Sequence, residues 1–259
     1  GCALMNLRAA AAQEGYGAVL SILPSAADED HLATLTLVKA SAAGAEDAKL
    51  YPAIEERRTY RKRFDSRGVT GEIMTALQAA AGAEGAWLHV LDGEKARHDT
   101  ARLVGEGDAV QWATPSWRRE LARWMHPRRK GDGLTVPGLV APVAQAVVRT
   151  FDMGNGVGAK DTELAEGSPV LALLGTERDD PAAWLAAGQA LERVLLTACL
   201  HGLQCSYLNQ PIQVAVLRPR LQQLTGRAGF PQILLRLGYP SGKIQAAPRR
   251  AIDAVIDGG

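Results

Sequence analysis

The sequence lacks the features that would assign it at once to several functional classes. It has only three cysteines, Cys2, Cys199 and Cys205. An odd number this small predicts no disulfide framework and indicates a reducing compartment, so we expect a cytoplasmic protein. No His or Cys pair accompanies Cys199 and Cys205 at metal-ligand spacing, so we expect both in the core and predict no metal site. No apolar run approaches the length of a membrane span, and a formal net charge of +1 gives no general attraction to nucleic acid.

A catalytic constellation and an initiator methionine are also lacking. His89, His126 and His201 are spread along the chain and form no recognisable Ser-His-Asp pattern, so we interpret each as structural. Gly1 to Met5 already has the composition of a helix interior. We therefore expect either that the chain was cut from a longer one or that the sequence lacks its beginning, which leaves a targeting peptide open.

What the sequence does have is a concentrated run of cations. Residues 57–63 carry five Lys or Arg side chains, between two glutamates and Phe64, at the end of an apolar-spaced segment that begins at Leu50. Guanidinium groups match phosphate oxygens in bidentate geometry, and Thr59 can add a hydroxyl donor. A phosphate site fits this run, and so does a solvated basic face or a subunit interface. On local sequence alone the solvated face is the commoner outcome.

The 259 residues, of which 47% are hydrophobic, suffice for one large domain or two small ones. Apolar spacing, caps and turn residues predict a mixture of helices and strands. Predicted helices are 2–14, one that ends at the basic run, 69–83 capped by Thr70, 92–104 capped by Asp92, 108–125, 181–201 and 217–224. Predicted strands are 18–23, 33–38, 86–91, 169–176 and 233–239.

Residues 127–168 show no sustained pattern apart from an apolar helical piece near Val140 to Val148. The glycine run at 154–158 is not followed by the Lys-Ser/Thr of a P-loop and has no strand before it. We interpret the region as a long ordered or mobile flap, since long loops in compact domains are often functional. The preceding segment has three tryptophans that could stack on a planar ligand but more commonly pack between helices, namely Trp112, Trp117 and Trp124.

Three motifs stand in order along the chain. They are the Arg57-Arg58-Thr59-x-Arg61 run, the Leu208-Asn209-Gln210-Pro211 loop, and a predicted strand that ends in Gly238-Tyr239-Pro240 with Arg249-Arg250 beyond it. This set resembles the flavin-dependent nitroreductase family, and the helix before Gly202 is similar to that of its Acg-like branch. The resemblance covers nearly the whole chain. It implies an α+β fold with a central mixed or antiparallel sheet flanked by helices, in some members a pseudo-dimer of two half-domains.

The resemblance also implies FMN as the cofactor, bound by two groups of residues. Those that would hold the phosphate and the ribityl hydroxyls are Arg57, Arg58, Thr59 and Arg61, with Arg249 or Arg250 completing the clamp. Those that would line the isoalloxazine ring are Leu208, Asn209, Gln210 and Pro211. Because the cofactor carries the chemistry, we predict no catalytic side chain.

The activity implied is electron transfer from NAD(P)H through FMN to a nitroaromatic, quinone or related small acceptor, in a homodimer or a pseudo-dimeric monomer. We expect neither nucleic acid nor membrane as a partner. An alternative is an FMN-binding protein without turnover, in which the flap closes over the ring and sequesters the flavin. A third interpretation is an interaction protein without flavin that uses the basic clusters.

The sequence departs from the family in one place. An upstream segment of the form Ser-x-x-Asn-x-Gln-Pro-Trp, which helps the Acg-like branch bind flavin, has no counterpart here. We therefore expect residues 1–48 to be the remnant of a first half-domain, with a helix and two strands. Residues 49–259 are expected to form the nitroreductase-like FMN-binding domain, with its flap at 127–168.

Overall fold

The computed structural model describes residues 1–39, 45–126, 134–135, 141–244 and 251–256. Its strands are β1 (Tyr16–Ile22), β2 (Ala33–Lys39), β3 (Trp87–Val90), β4 (Met125–His126), β5 (Leu134–Thr135), β6 (Val170–Thr176), β7 (Gln204–Tyr207) and β8 (Phe230–Gly238). Its longer helices are α1 (Cys2–Gln13), α4 (Gly71–Gly82), α5 (Glu94–Ala113), α6 (Pro115–Arg123), α7 (Ala141–Thr150), α8 (Gly154–Glu166), α9 (Pro181–Leu200) and α11 (Arg218–Thr225). The shorter ones are α2 (Ala45–Ala48), α3 (Tyr51–Glu56) and α10 (Gln210–Gln213).

A four-stranded antiparallel sheet in the order β3-β6-β8-β7 forms the centre of the fold. Helices cover both of its faces, so the central strand β6 is buried along its whole length, as its continuous apolar sequence predicts. On one face Ala172 and Leu235 pack against α4 and α9. On the other face Leu173 and Leu234 pack with residues of α5, α8 and α11. Because side chains alternate along a strand, Arg236 lies on this second face, two residues beyond Leu234.

Helix α9 is formed as its sequence predicts. The Asp180 side chain accepts a hydrogen bond from the Ala183 N–H at 2.8 Å, and Pro181 occupies the first turn. Helix α4 begins in the same way at Thr70, whose hydroxyl accepts from the Ile73 N–H. Both helices then place an apolar stripe against the sheet.

The first 39 residues add a helix and a separate two-stranded sheet. Helix α1 packs against α9 through Met5 and Ala9, which meet Leu196 and Cys199 in a small buried cluster. Strands β1 and β2 pair only with each other among the described residues, in an antiparallel register that sets Tyr16 opposite Lys39. Their assignment to a first half-domain stays a prediction.

Two predicted helix boundaries were wrong. The cap of α5 is Gly93, at φ 85°, and not Asp92, because glycine adopts positive φ without strain. The helix then continues without a break to Ala113. It stops at Thr114, which is extended because it precedes Pro115, and α6 begins at that proline.

The glycine run at 154–158 was predicted to be irregular and is instead the first turn of α8. Gly154 and Gly158 allow close packing against α5. A Cβ built on Gly158 would lie 3.4 Å from the Gly105 carbonyl oxygen of α5, and the Thr162 hydroxyl of α8 donates to the Ala101 carbonyl at 3.2 Å. Helix α7 covers the predicted apolar piece, whereas 127–133 and 136–140 of the predicted flap lie outside the described residues.

Candidate functional site

The basic run lies in an extended segment between the ends of two strands. Thr59 forms a parallel bridge with Cys205 of β7, and Phe64 forms an antiparallel bridge with Pro240 beyond β8. The Tyr60 N–H donates to the Cys205 carbonyl at 2.9 Å. Backbone pairing thus fixes the position of this segment, so its arginines do not extend from a free surface helix.

Arg236 holds the same segment from the floor of the site. It is only 1% exposed, and its two terminal nitrogens donate to the Lys62 carbonyl at 3.0 Å and the Tyr60 carbonyl at 3.2 Å. Its Nε has no hydrogen-bond partner within the described ranges. Burial lowers the pKa of Arg236 to about 10, against the attraction of Asp161 and Tyr60, so the side chain still carries its charge at neutral pH.

Arg236 was not predicted as a site residue. Its signal is a single cation inside the apolar strand Ile233–Leu237. A buried charge is costly unless it is paired or hydrogen-bonded, so a single cation in an apolar strand indicates a specific set of partners or a functional site.

A cavity of about 280 Å³, which we call the basic cavity, opens above Arg236. Two guanidinium groups and three hydroxyl groups line it, together with one carboxylate. Its lining residues are Thr59, Arg61, Asp161, Leu164, Ser206, Tyr207, Leu208 and Arg236. This set of donors suits an anionic, oxygen-rich ligand.

A second cavity of about 290 Å³, which we call the acidic cavity, shares Asp161 and Tyr207 with the first. It combines two carboxylates, four side-chain amides and several aromatic or apolar walls. Its lining residues are Asp108, Gln111, Trp112, Trp117, Leu121, Val157, Asp161, Tyr207, Asn209, Gln210 and Gln213. The rings of Trp112 and Trp117 also meet edge to face, with centroids 5.3 Å apart. The two tryptophans therefore pack between helices, as predicted, and also line the cavity.

One amide group joins the carboxylates of the acidic cavity. Gln210 Nε2 donates to Asp161 Oδ2 at 2.8 Å and to Asp108 Oδ1 at 3.2 Å. The Gln210 Oε1 atom is buried and has no partner in the described part of the chain. The junction is tight, since a Cβ built on Gly107 of α5 would lie 2.7 Å from the Gln210 Cβ.

The pKa of each of the two carboxyl groups is raised, which favours the protonated form. Burial, reinforced by the charge of Asp161, raises the pKa of Asp108 to about 6, although the hydrogen bond from Gln210 opposes this shift. Burial also raises the pKa of Asp161, while the Gln210 hydrogen bond and the charges of Arg236 and Lys160 lower it. Paired carboxyl groups in a cavity are typical of functional sites.

The structure brings five of the predicted site residues to these cavities. Thr59, Arg61 and Leu208 line the basic cavity, and Asn209 and Gln210 line the acidic one. Asn209 Oδ1 accepts from the Leu234 N–H at 2.9 Å, which ties the loop to β8. Pro211 is buried in α10, next to Gln210.

The remaining predicted residues are placed differently. The Arg57 Nε lies 3.3 Å from Oε1 of the buried Glu192 on α9. The Arg58 side chain donates to the carbonyls of Glu55 and Arg57, and neither Arg57 nor Arg58 is among the described residues that line the two cavities. Arg249 and Arg250 lie outside the described residues. The phosphate-binding role of all four stays a prediction.

Other kinds of site find no support in the described residues. They contain no cluster of three or more His, Cys, Asp or Glu side chains that could hold a metal ion. None of the helices that the structure describes is both long and apolar enough to cross a membrane. Cys199 and Cys205 are buried, as predicted for core residues.

Comparison with known proteins then decides the family. No protein-family model matches the chain. A protein of Mycobacterium tuberculosis H37Rv named "Putative NAD(P)H nitroreductase Rv3131" is 31% identical over 270 residues, which cover 99% of this chain and 75% of that protein. The chain belongs to the nitroreductase family. A second relative in the same organism, named "Putative NAD(P)H nitroreductase acg", is 25% identical over 262 residues, which supports the Acg-like branch in part.

Solved structures with the nitroreductase fold agree with this family. The FMN-dependent nitroreductase NfnB from Mycobacterium smegmatis, solved in complex with NADPH, superposes with a TM-score of 0.52 at 17% identity and covers 82% of this chain and 99% of its own. A BluB-like flavoprotein from Clostridium difficile 630 gives 0.53 at 16% identity, over 80% of this chain and 97% of its own. The predicted α+β nitroreductase-like fold is therefore confirmed.

Proposed function

We propose that this nitroreductase-family protein is an FMN-dependent oxidoreductase that takes electrons from NAD(P)H and passes them to a nitroaromatic, quinone or related small acceptor. The observation that carries the proposal is the basic cavity, where a fully buried arginine keeps one donor free beside Arg61 and Thr59. The names of the M. tuberculosis relatives, with NAD(P)H in them, and the FMN-dependent NfnB structure support the cofactor and the electron donor.

The residues present fit the phosphate end of FMN. A phosphate carries up to two negative charges and is bound best by planar donors that stay positively charged. Arg61 and Arg236 provide such donors. Hydroxyl groups of Thr59 and Ser206 add donors at the same cavity. The unpaired Nε of Arg236 belongs to a residue that lines this same cavity.

The ring end fits the loop that joins the two cavities. Tyr207, Leu208 and Gln210 would hold the isoalloxazine, and Asn209 fixes that loop to the sheet. The basic cavity lies near the lower end of the range for ligand pockets, roughly 300–1,000 Å³, so it would hold the phosphate and ribityl end of the cofactor and not the whole of it. When bound, FMN supplies the hydride and electron chemistry, while the chain binds it, orients it and excludes water.

The test is FMN affinity, measured by quenching of flavin fluorescence. Arg61→Ala and Arg236→Met each remove a charge-assisted contact of about 1.5–3 kcal/mol, so each should weaken binding at least about 10-fold and the double variant about 100-fold. Arg102→Ala, in an exposed pair with Glu106, is the matched control and should bind FMN as the wild type does.

Arg236→Lys is a second variant in case Arg236→Met does not fold, because lysine keeps the charge and loses only the planar, bidentate geometry of the guanidinium. It should bind FMN more weakly than the wild type and more tightly than Arg236→Met. Unchanged affinity in folded Arg61→Ala and Arg236→Met proteins would contradict the phosphate assignment.

Flavin sequestration is the second candidate function. It is favoured by α8, which supplies Asp161 and Leu164 to the basic cavity and so covers part of it. Anaerobic addition of NADPH to the yellow protein separates the two functions. Bleaching of the flavin within seconds supports the oxidoreductase, and bound flavin that does not bleach supports sequestration. Colourless protein that FMN cannot reconstitute contradicts both.

A further inference from the structure

The acidic cavity has a feature that flavin binding alone does not require. Among the described lining residues its acids are Asp108 on α5 and Asp161 on α8, and both accept hydrogen bonds from the same nitrogen of Gln210. Asp108 is buried, at 3% exposure, beside the aromatic walls formed by Trp112 and Trp117. The cavity thus places an acid next to surfaces that suit a planar acceptor.

Reduction of the proposed acceptors consumes protons as well as electrons. A quinone becomes a hydroquinone by gaining one hydride and one proton. A nitro group becomes a nitroso group and water by gaining the same pair. When bound, the reduced cofactor would supply the hydride, whereas the proton must come from an acid or from water in the cavity.

We propose that the Asp108 carboxyl group donates the proton to the acceptor reduced in the acidic cavity. The inference rests on the proposed function. In the step, the Asp108 O–H bond breaks and an O–H bond forms on the acceptor, while the hydride supplies both electrons. The carboxylate then regains its proton from water.

The surroundings of the two acids favour Asp108 over Asp161 as the donor. Asp161 lines the basic cavity, and the charges of Arg236 and Lys160 favour its ionised form. Asp108 has no cationic neighbour in the described structure, and its hydrogen bonds from Gln210 are longer, at 3.2 and 3.3 Å. Asp108 is therefore the acid that more readily holds a proton near neutral pH.

Cations on the helices that contact α5 have other partners. Arg118 of α6 donates to the Trp112 carbonyl at 2.7 Å, and Arg220 of α11 pairs with Glu106 at 2.5 Å. Lys160 acts on Asp161 from the same helix. With a pKa of about 6, Asp108 is close to the value that general acid catalysis favours at cellular pH.

The first test is the rate at which the reduced protein transfers electrons to a quinone, followed by stopped flow between pH 5 and 8. In the wild type this rate should fall as the pH rises above about 6. Asp108→Asn should react about 100-fold more slowly, with that pH dependence lost. Asp99→Asn, on the exposed part of α5 beside Lys95, is the control and should match the wild type.

The second test needs no flavin, because it measures the free energy of unfolding of the apoprotein against pH. A carboxyl group whose pKa is raised on folding stabilises the fold at low pH and loses this effect as the pH rises through the folded pKa. Asp108→Asn cannot ionise, so its stability relative to the wild type should rise from pH 4 to pH 7 and stay constant below pH 4. A difference that does not change with pH overturns the assignment.

The outcomes separate this inference from the proposed function. A wild-type protein that neither binds FMN nor is reduced by NADPH overturns both. Normal FMN binding and normal reduction by NADPH, with the same acceptor rate and pH profile in Asp108→Asn as in the wild type, overturn only the role of Asp108.

Discussion

Two clusters of charged side chains, one half-buried and one largely buried, lie on opposite faces of the central sheet and are built differently. On the α4 and α9 face, Arg8 and Arg193 meet Asp47 and Glu84 in a closed set of ion pairs, which we call the paired cluster. Arg8 lies 2.7 Å from Glu84 and 3.0 Å from Asp47, and Arg193 lies 2.6 Å from Glu84 and also pairs with Asp47. Two cations and two anions thus join α1, α2, α4 and α9.

The cluster on the α5 and α8 face leaves bonds unmade. Arg236 keeps a free Nε, Gln210 keeps a free Oε1, and Asp108 and Asp161 share one amide instead of having a cation each, as far as the described residues show. Buried polar groups are nearly always satisfied in folded proteins. On this difference we assign the paired cluster to stability, whereas the incomplete one fits the proposed ligand site.

The largest effect on stability is expected in the paired cluster. Arg193→Ala leaves Asp47 and Glu84 with one cation between them, so the free energy of unfolding should fall by about 3 kcal/mol. Urea denaturation measures it, and Arg102→Ala, which breaks an exposed pair, should cost no more than about 0.5 kcal/mol. FMN affinity of the folded Arg193→Ala protein should equal that of the wild type. A weaker affinity would show that the two clusters are not independent.

A smaller effect on stability is expected at Arg57, which pairs with a buried glutamate and is also a predicted phosphate contact. Arg57→Ala leaves the buried Glu192 without its nearest cation, which should cost about 2 kcal/mol of unfolding free energy. The same protein tests the predicted phosphate contact of Arg57 by fluorescence titration with FMN. Affinity equal to the wild type, beside a loss in Arg61→Ala, would assign Arg57 to stability alone, and a comparable loss would return it to the site.

The smallest effect is expected far from either cluster, at the cap of α4. Thr70→Ala removes the hydroxyl that accepts from the Ile73 N–H and should cost about 1 kcal/mol without altering FMN affinity. Thr70→Ser keeps the acceptor and serves as the control in the same urea titration. A loss of unfolding free energy as large as that of Arg193→Ala would contradict the expectation that the paired cluster contributes more to stability than a single helix cap does.

Much of the fold could be predicted from local patterns. The strand at β6 and the helix at α9 follow from a continuous apolar run and from the Asp180-Pro181 start, both of which act within a few residues. The glycine run of α8 was misjudged because glycines lower helix propensity locally, whereas here they let α8 approach α5. That benefit depends on a second helix distant in sequence.

Site residues were predictable only where they belong to the ordered motifs that carry the family resemblance. Five residues of those motifs line the two adjoining cavities, namely Thr59, Arg61, Leu208, Asn209 and Gln210. Arg236, Asp108 and Asp161 were not found. Nothing in their immediate sequence shows that β8, α5 and α8 converge on one amide and one extended segment.

The sequence by itself determined the resemblance to the family, through its ordered motifs. It also determined the main helices and strands and the concentrated basic run, since these rest on residue type and spacing. Only the tertiary structure decided which of its arginines face a cavity and which are neutralised by a partner. Arg57 and Arg61 are four residues apart and alike in chemistry, yet one meets Glu192 and the other lines the basic cavity. The electrostatic role of a charge depends on its partners in space, which local sequence does not specify.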